Sequence, residues 1–302
     1  IIKMSVNYYV NGKGRKKGRY SRGRGKRGGR STTYATAVMN PFSGLYTAPK
    51  VPDGKCTMSA GLRQQQNISI TLTAGLDVLA ICPHPIAPLF AKANMAENYG
   101  NWEVLANVAD TDPAYVARRT FATPLDYTQL EMFRIVSQGT RIMCTSNAVT
   151  NDGWWEAIRV KLNDIGANAT SGVNLQSFID HPTYSTGKIR DLSQYIFQNK
   201  PLGDVLQFNE NFTYSADVNA QTDTSEHQPN ILDSNYDTIV IKFHGSANVN
   251  VVAHVVQNIE VIFRETNNLK RFMTVSNSNP RLVERTLAKL TSDIRAARKT
   301  IM

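Results

Sequence analysis

Asn67-Ile-Ser-Ile-Thr-Leu-Thr73, followed by Ala74-Gly75 and then the run Val78-Leu-Ala-Ile-Cys82 before Pro83, sets the period in which the rest of the chain is read. Strict alternation of polar and apolar residues puts Ile68, Ile70 and Leu72 on one side of an extended strand. Ala74-Gly75 marks a turn, and the short apolar run stops at a proline, so the pair reads as two antiparallel strands.

Downstream the same signal recurs. Phe133 to Ser146 is a long segment interrupted by Gly139, which reads as a bulge, and Trp154 to Leu162 alternates imperfectly. Val205 to Tyr214 sets Leu206, Phe208 and Phe212 among polar neighbours, and Thr238-Ile-Val-Ile-Lys-Phe243 and Val251 to Phe263 close the series. A weaker stretch, Ile189 to Phe197, is equally compatible with a helix. The count reaches about eight elements, joined by long connections at 84–130, 163–188 and 215–236. Eight antiparallel strands with alternately long loops fit an all-β, single eight-stranded jelly roll better than an immunoglobulin sandwich, whose turns come more often.

Charge divides the chain differently. Residues 1–52 hold 12 Lys and Arg and no acid, residues 53–263 hold 13 basic against 21 acidic side chains, and residues 264–302 hold 9 against 3. The formal +10 therefore resides in the two ends. The first end is a Gly-spaced arm that offers Lys13, Arg15, Lys16, Lys17, Arg19, Arg22, Arg24, Lys26, Arg27 and Arg30, with no apolar periodicity to bury a core. Cations at this density suit a phosphate polymer, whose counterions they release, without sequence specificity. A nuclear-localisation tag, a solubilising tail and an acidic-lipid segment compete with that reading. No amphipathic face or acylation signal accompanies the charge, which favours nucleic acid.

The second end changes character after Asn279-Pro280. Val283, Leu287, Leu290, Ile294, Ala297 and Ile301 recur every three or four residues, which predicts an amphipathic helix over 281–301. Its other face carries Arg281, Arg285, Lys289, Arg295, Arg298 and Lys299, either solvated or directed at nucleic acid. The expected organisation is an arm at 1–52, a shell domain at 53–264 with 84–130 and 215–236 as candidate surface regions, and a basic tail at 265–302.

Chemistry is sparse. The five histidines are scattered, and Gly23 to Gly29 follows no strand and opens no helix, so it is not a phosphate loop. Cys56, Cys82 and Cys144 lack metal-ligand spacing and read as reduced thiols. Asp110 and Asp112, or Asp217 and Asp223, are loop carboxylates of the kind that hold Ca²⁺ between subunits, although such carboxylates are common. No catalytic residue, metal ligand or cofactor is assigned. No apolar run approaches a bilayer's thickness and no secretory h-region follows the cations, so folding in the cytosol or nucleus without membrane insertion is expected.

Several strings resemble one viral lineage. Val51-Pro-Asp53, Gln66 to Gly75 and Ile81-Cys-Pro-His-Pro85 are similar to the nodavirus coat protein's entry into its first two strands. Phe133-Arg134 with Thr145-Ser-Asn147 resembles its central pair. Asp237 to Lys242 with Ile259-Glu-Val-Ile-Phe-Arg264 resembles its last two strands. The ordered matches span residues 51 to 264. Capsid proteins of bacilladnaviruses, which package circular single-stranded DNA and infect diatoms, resemble nodavirus coat proteins in the same way. The resemblance implies an icosahedral capsid subunit, of T=3 geometry with 180 copies, around a single-stranded DNA or RNA genome, found in virions and in the host nucleus or cytoplasm during assembly. Nodavirus coat proteins cleave themselves with an Asp placed shortly before the Val-Pro-Asp string. Val38 to Ser43 has no acid, so no self-cleavage is expected. The competing reading is a cellular Gly/Arg-rich nucleic-acid-binding protein whose β-sandwich binds a partner; Arg-Gly-Gly occurs once, at Arg27 to Gly29, so the dense repeats of that class are lacking.

Overall fold

Ile68 lies in a strand that extends well beyond its strictly alternating part. The computed structural model describes residues 32–43, 48–55, 57–72, 75–81, 83, 89–92, 117–119, 130–146, 153–160, 178–202, 206, 208–210, 236–245, 249–276 and 278–300. After a short helix, α1 (Thr32–Met39), the chain forms β1 (Met58–Leu72), β2 (Gly75–Ile81), β3 (Leu89–Lys92), β4 (Ala117–Arg119), β5 (Leu130–Cys144) and β6 (Gly153–Val160). β7 (Ser185–Lys188), β8 (Phe197–Gln198), β9 (Asn209–Glu210), β10 (Thr238–Gly245), β11 (Val249–Phe263) and β12 (Thr274–Val275) follow, and α2 (Pro280–Thr300) ends the described chain.

These strands make two antiparallel sheets, one ordered β12-β1-β11-β5-β8 with β9 also on β5, the other β4-β3-β2-β10-β6-β7. The two strands read first from the sequence are not partners. β1 pairs with β11 from Ala60↔Val261 to Leu72↔Val249, whereas β2 pairs with β10 in the other sheet. Between Leu72 and Gly75 the chain therefore passes from one sheet to the other. The reason is burial: Ile68, Ile70 and Leu72 face Leu79, Ile81, Ile239, Ile241 and Phe243 across the sandwich, in one core with Trp155, Val251, Ala253 and Val255.

Other local readings change similarly. β5 carries two register shifts against β11, one where Ser137 faces Asn258 and Ile135 faces Ile259, the other where Met132 faces Ile262 and Leu130 faces Phe263, so Val136 and Glu131, not Gly139, are the extra residues. Gly139 stays in register opposite Val256, and a Cβ there would come within 3.1 Å of Phe42 and of Pro41. Its missing side chain makes room for the chain crossing the sheet. Ile189–Gln194 is a 3₁₀ helix, with only Phe197–Gln198 extended. Of Val205 to Tyr214, the described strand is Asn209–Glu210. The region 84–130, read as connection, supplies β3 and β4 to the second sheet. Twelve strands thus appear among the described residues where about eight were read, the surplus being mostly pieces of two to four residues too short to show a period.

One polar seam crosses the core. Gln257 and Gln138 are cross-strand partners whose amides bond to each other, Gln138 donates to Asn199 Oδ1 (3.3 Å), and Asn199 donates to the carbonyls of Ile81 (3.0 Å) and Asp237 (2.7 Å). Buried amides joined this way tie the first sheet to strand ends of the second.

Candidate functional site: the helix-bearing face

α2 begins where its sequence dictates. Asn279 caps it by accepting from the Leu282 N–H (3.2 Å), and Pro280 takes the first turn, where no N–H is needed. Val283, Thr286 and Leu290 are buried, while Arg281, Arg285 and Lys289 are exposed. Thr286 satisfies its hydroxyl on the Leu282 carbonyl (2.7 Å). The buried side meets Tyr34 and Val38 of α1, Val51, and the bulged Val136 of β5 in one cluster. Burial there pushes the Tyr34 hydroxyl above its ordinary pKa, so it stays neutral. Both helices therefore rest on the outward face of the β1–β11–β5 sheet.

An ionic cluster fastens the flanking segments to the same face. Arg134 and Glu260 lie opposite each other on β5 and β11, and Arg134 Nη2 meets Glu260 Oε2 at 2.7 Å while its Nη1 meets Asp53 Oδ2 at 2.7 Å. All three side chains are at most 2% exposed. The guanidinium also donates to the Leu206 carbonyl (2.7 Å) and lies 4.1 Å from the Phe208 ring centroid. Glu260 Oε2 accepts from the Val51 N–H (2.9 Å), and its other oxygen accepts from the Ser59 hydroxyl. Lys50 donates to the Ser59 carbonyl and to Thr274 Oγ1 (2.9 Å); burial lowers its pKa, partly opposed by the Glu260 charge. Two cations and two carboxylates balance, which is the condition for keeping charge out of water.

The entering and leaving chains meet at this cluster. Asp53 bridges Ser278, and the Asn279 N–H donates to the Pro52 carbonyl (3.0 Å). Pro52 and Asp53, at the end of the N-terminal segment, and Ser278 and Asn279, which precede α2, are thus held side by side.

The arm residues Lys13, Arg15, Lys16, Lys17, Arg19, Arg22, Arg24, Lys26, Arg27 and Arg30 lie outside the described residues, as do Asp110, Asp112, Asp217 and Asp223. Arg285 and Lys289 share the exposed side of α2; Arg295, Arg298 and Lys299 continue that helix, their side chains outside the description. Among the described residues no group of His, Cys, Asp and Glu is placed to hold a metal ion, and no helix is long and apolar enough to cross a membrane. Asp53, Arg134 and Glu260 stood in the sequence without an assigned role. Their signal was a lone charge inside an apolar strand, Arg134 between Phe133 and Ile135, and Glu260 between Ile259 and Val261.

A model of the Shotokuvirus capsid protein family matches residues 30–168 and 164–298. The capsid protein of Chaetoceros protobacilladnavirus 2 is 21% identical over 80% of this chain and 79% of its own length. That of Chaetoceros diatodnavirus 1 is 24% identical, over 78% and 74%. A third, from Avon-Heathcote Estuary associated kieseladnavirus, is 24% identical over 79% and 80%. Among solved structures, the T=1 particles derived from infectious bursal virus align with a TM-score of 0.52 at 9% identity, over 87% of this chain and 91% of that one. The Gx strain of infectious bursal disease virus aligns at 0.53 and 8%, over 87% and 95%. At such identity the likeness is one of fold, and it is to the fold of icosahedral virus shells. With a family model covering nearly the whole domain, this chain belongs to the Shotokuvirus capsid protein family and is a structural subunit of a virus capsid rather than an enzyme.

Proposed function

We propose that this capsid protein assembles in many copies into a closed icosahedral shell of T=3 geometry and draws a single-stranded genome inside through its basic arm and tail. The division is an arm at 1–52, a single jelly roll at 53–264 and a tail at 265–302. The observation that carries the reading is the shared face: α1, which lies within the 1–52 segment directly after its last Gly-spaced cation, Arg30, and α2, whose exposed side bears Arg281, Arg285 and Lys289, pack together on one side of the sandwich. Cations that depart from one side line one surface of a shell. Taking one phosphate charge per nucleotide, ~180 arms of about +12 neutralise on the order of 2,000 nucleotides, and the tails about 1,000 more. The 13-to-21 excess of acid in residues 53–263 keeps the polymer off the remaining surface.

The bacilladnavirus resemblance favours circular single-stranded DNA as the cargo, and assembly in the host nucleus or cytoplasm before release in virions. The candidate surface regions are 84–130 and 215–236. No self-cleavage accompanies maturation, for want of an acid in Val38 to Ser43. The cellular Gly/Arg-rich alternative loses its ground once the chain falls within a capsid family.

Deleting residues 1–30 tests the packaging role. The expected result is a folded domain whose affinity for single-stranded nucleic acid depends far less on salt; an unchanged slope would sink the arm assignment. Negative-stain images of the intact protein should show closed particles of ~300 Å, and nuclease digestion of their contents should distinguish DNA from RNA.

A further inference from the structure

Beyond the two helices, the same sheet face carries a second group of cations. Pro41 and Phe42 leave α1 and cross β5 over Gly139, the position where no side chain stands in the way. The Phe42 ring sits between two cross-strand partners: the Arg141 guanidinium carbon is 4.7 Å from its centroid, and the His254 ring meets it edge-on at 5.3 Å. From β1, Arg63 Nη1 donates to the carbonyl of Ser43, the residue after Phe42, at 2.7 Å.

Nothing described here balances these cations. Arg141 makes no ion pair and no hydrogen bond with a described residue, and its Nε is buried without an acceptor. Burial and the positive charges of Arg141 and Arg63 lower the His254 pKa, and no carboxylate offsets them. Compare the other end of this face, where Arg134 is matched by Asp53 and Glu260. Around the cations the outward positions of β1 are polar and open: Gln65, Asn67 and Ser69 are exposed, with Asn67 directly opposite His254. Two partly buried arginines without acidic partners, one against the Phe42 ring and one on the Ser43 carbonyl, bordered by amides and a hydroxyl, match a sugar-phosphate strand.

We propose that Arg63 and Arg141, the latter against Phe42, hold neighbouring phosphates of the packaged single strand as an ordered contact of the folded sheet face, separate from the Gly-spaced cations before Thr32 and from the tail. This rests on the reading that the helix-bearing face looks toward the genome. The rival occupant is a carboxylate of a neighbouring copy, since the middle of the chain is acidic. Nucleic acid is favoured because the patch continues the face that α1 and the exposed cations of α2 already occupy.

The test uses the full chain with Arg63→Gln and Arg141→Gln together, titrated with poly(dT) over a series of salt concentrations. Losing two phosphate contacts on a single strand should reduce the log–log slope by about 1.4 and weaken binding roughly 25-fold at 0.1 M salt. Arg63→Lys with Arg141→Lys, which keeps both charges, should recover most of the slope. If the 1–30 deletion flattens the slope but the Gln pair changes nothing, the packaging reading stands and this contact is overturned. If the deletion leaves the slope alone while the Gln pair reduces it, the arm reading fails and this contact survives. A Gln pair that binds poly(dT) normally yet no longer forms particles assigns the patch to a neighbouring subunit and also overturns the proposal. Should the pair not fold, ultraviolet crosslinking of unaltered particles decides: adducts on the peptides around Phe42 and Arg141 support the contact, and adducts confined to residues 1–30 and the tail refute it.

Discussion

The two sheets cover their outward faces by different means. On the β1–β11–β5 sheet the cover consists of α1, α2 and the segments beside them, fastened by Arg134, Asp53, Glu260 and Lys50. On the second sheet the outward positions Val78, Ala80, Ile158, Val160 and Val240 are buried and apolar, with Lys242 lying under the Phe178 ring at 4.0 Å. The first face adds a buried ionic cluster to its apolar helix contacts, whereas the second is covered mainly by apolar packing. The difference teaches where the molecule is sensitive: ionic fastening is strong only while every partner is present, whereas apolar cover loses stability in proportion to the atoms removed.

The largest expected effect comes from breaking the ionic side. Arg134→Ala leaves two carboxylates buried without their cation and should cost about 3–5 kcal/mol in chemical denaturation; a loss below about 1 kcal/mol would mean the cluster does not fasten the termini. Next, Gly139→Ala drives a methyl group to within 3.1 Å of Phe42 and Pro41 and should cost about 1–3 kcal/mol while displacing the chain that crosses the sheet. Proteolysis near residue 42 would report that displacement. On the apolar side Ile158→Val should cost only about 0.5–1.5 kcal/mol, with no dependence on salt, because it removes one methylene from a packed face.

Smallest is a pH effect that both faces share. Burial holds His254 on the first sheet and His244 on the second below their ordinary pKa, the latter despite Glu156 at 3.7 Å. Below about pH 6.5 an unfolded chain takes up protons that the folded one resists, so stability should decline as pH falls through that value. His254→Gln should remove part of the decline in melting temperature against pH. If the decline is identical in the variant, His254 is not held neutral by its surroundings.

Much of the architecture was legible because strands buried on one or both faces must write a period or an apolar run into the chain. The spans around Ile68, Val78, Arg134, Trp155, Ile241 and Val255 all lie in strands. Pairing was less legible. Ala74-Gly75 read as a hairpin turn, but β1 pairs with β11 and β12 while β2 pairs with β3 and β10, in different sheets. A turn dipeptide reports only that the chain reverses, not which strand completes each ladder. The bulge was misread for a similar reason: Gly139 drew attention as a gap in β propensity, while its use is to admit Phe42, and the extra residue nearest it is a valine that serves the helix cluster.

What the sequence determined by itself is the sum of local demands: a β domain, two basic ends, a helix after Asn279-Pro280 and membership in a lineage, each carried by composition or short-range period. Only the tertiary structure decided that Asp53, Arg134 and Glu260 meet, that α1 and α2 share one face, and that Arg141 and His254 gather around Phe42 with Arg63 on the next residue. Those contacts join residues tens to hundreds of positions apart, and they form because burying both faces of a sheet leaves each charge only a few places where a partner or a ligand can reach it.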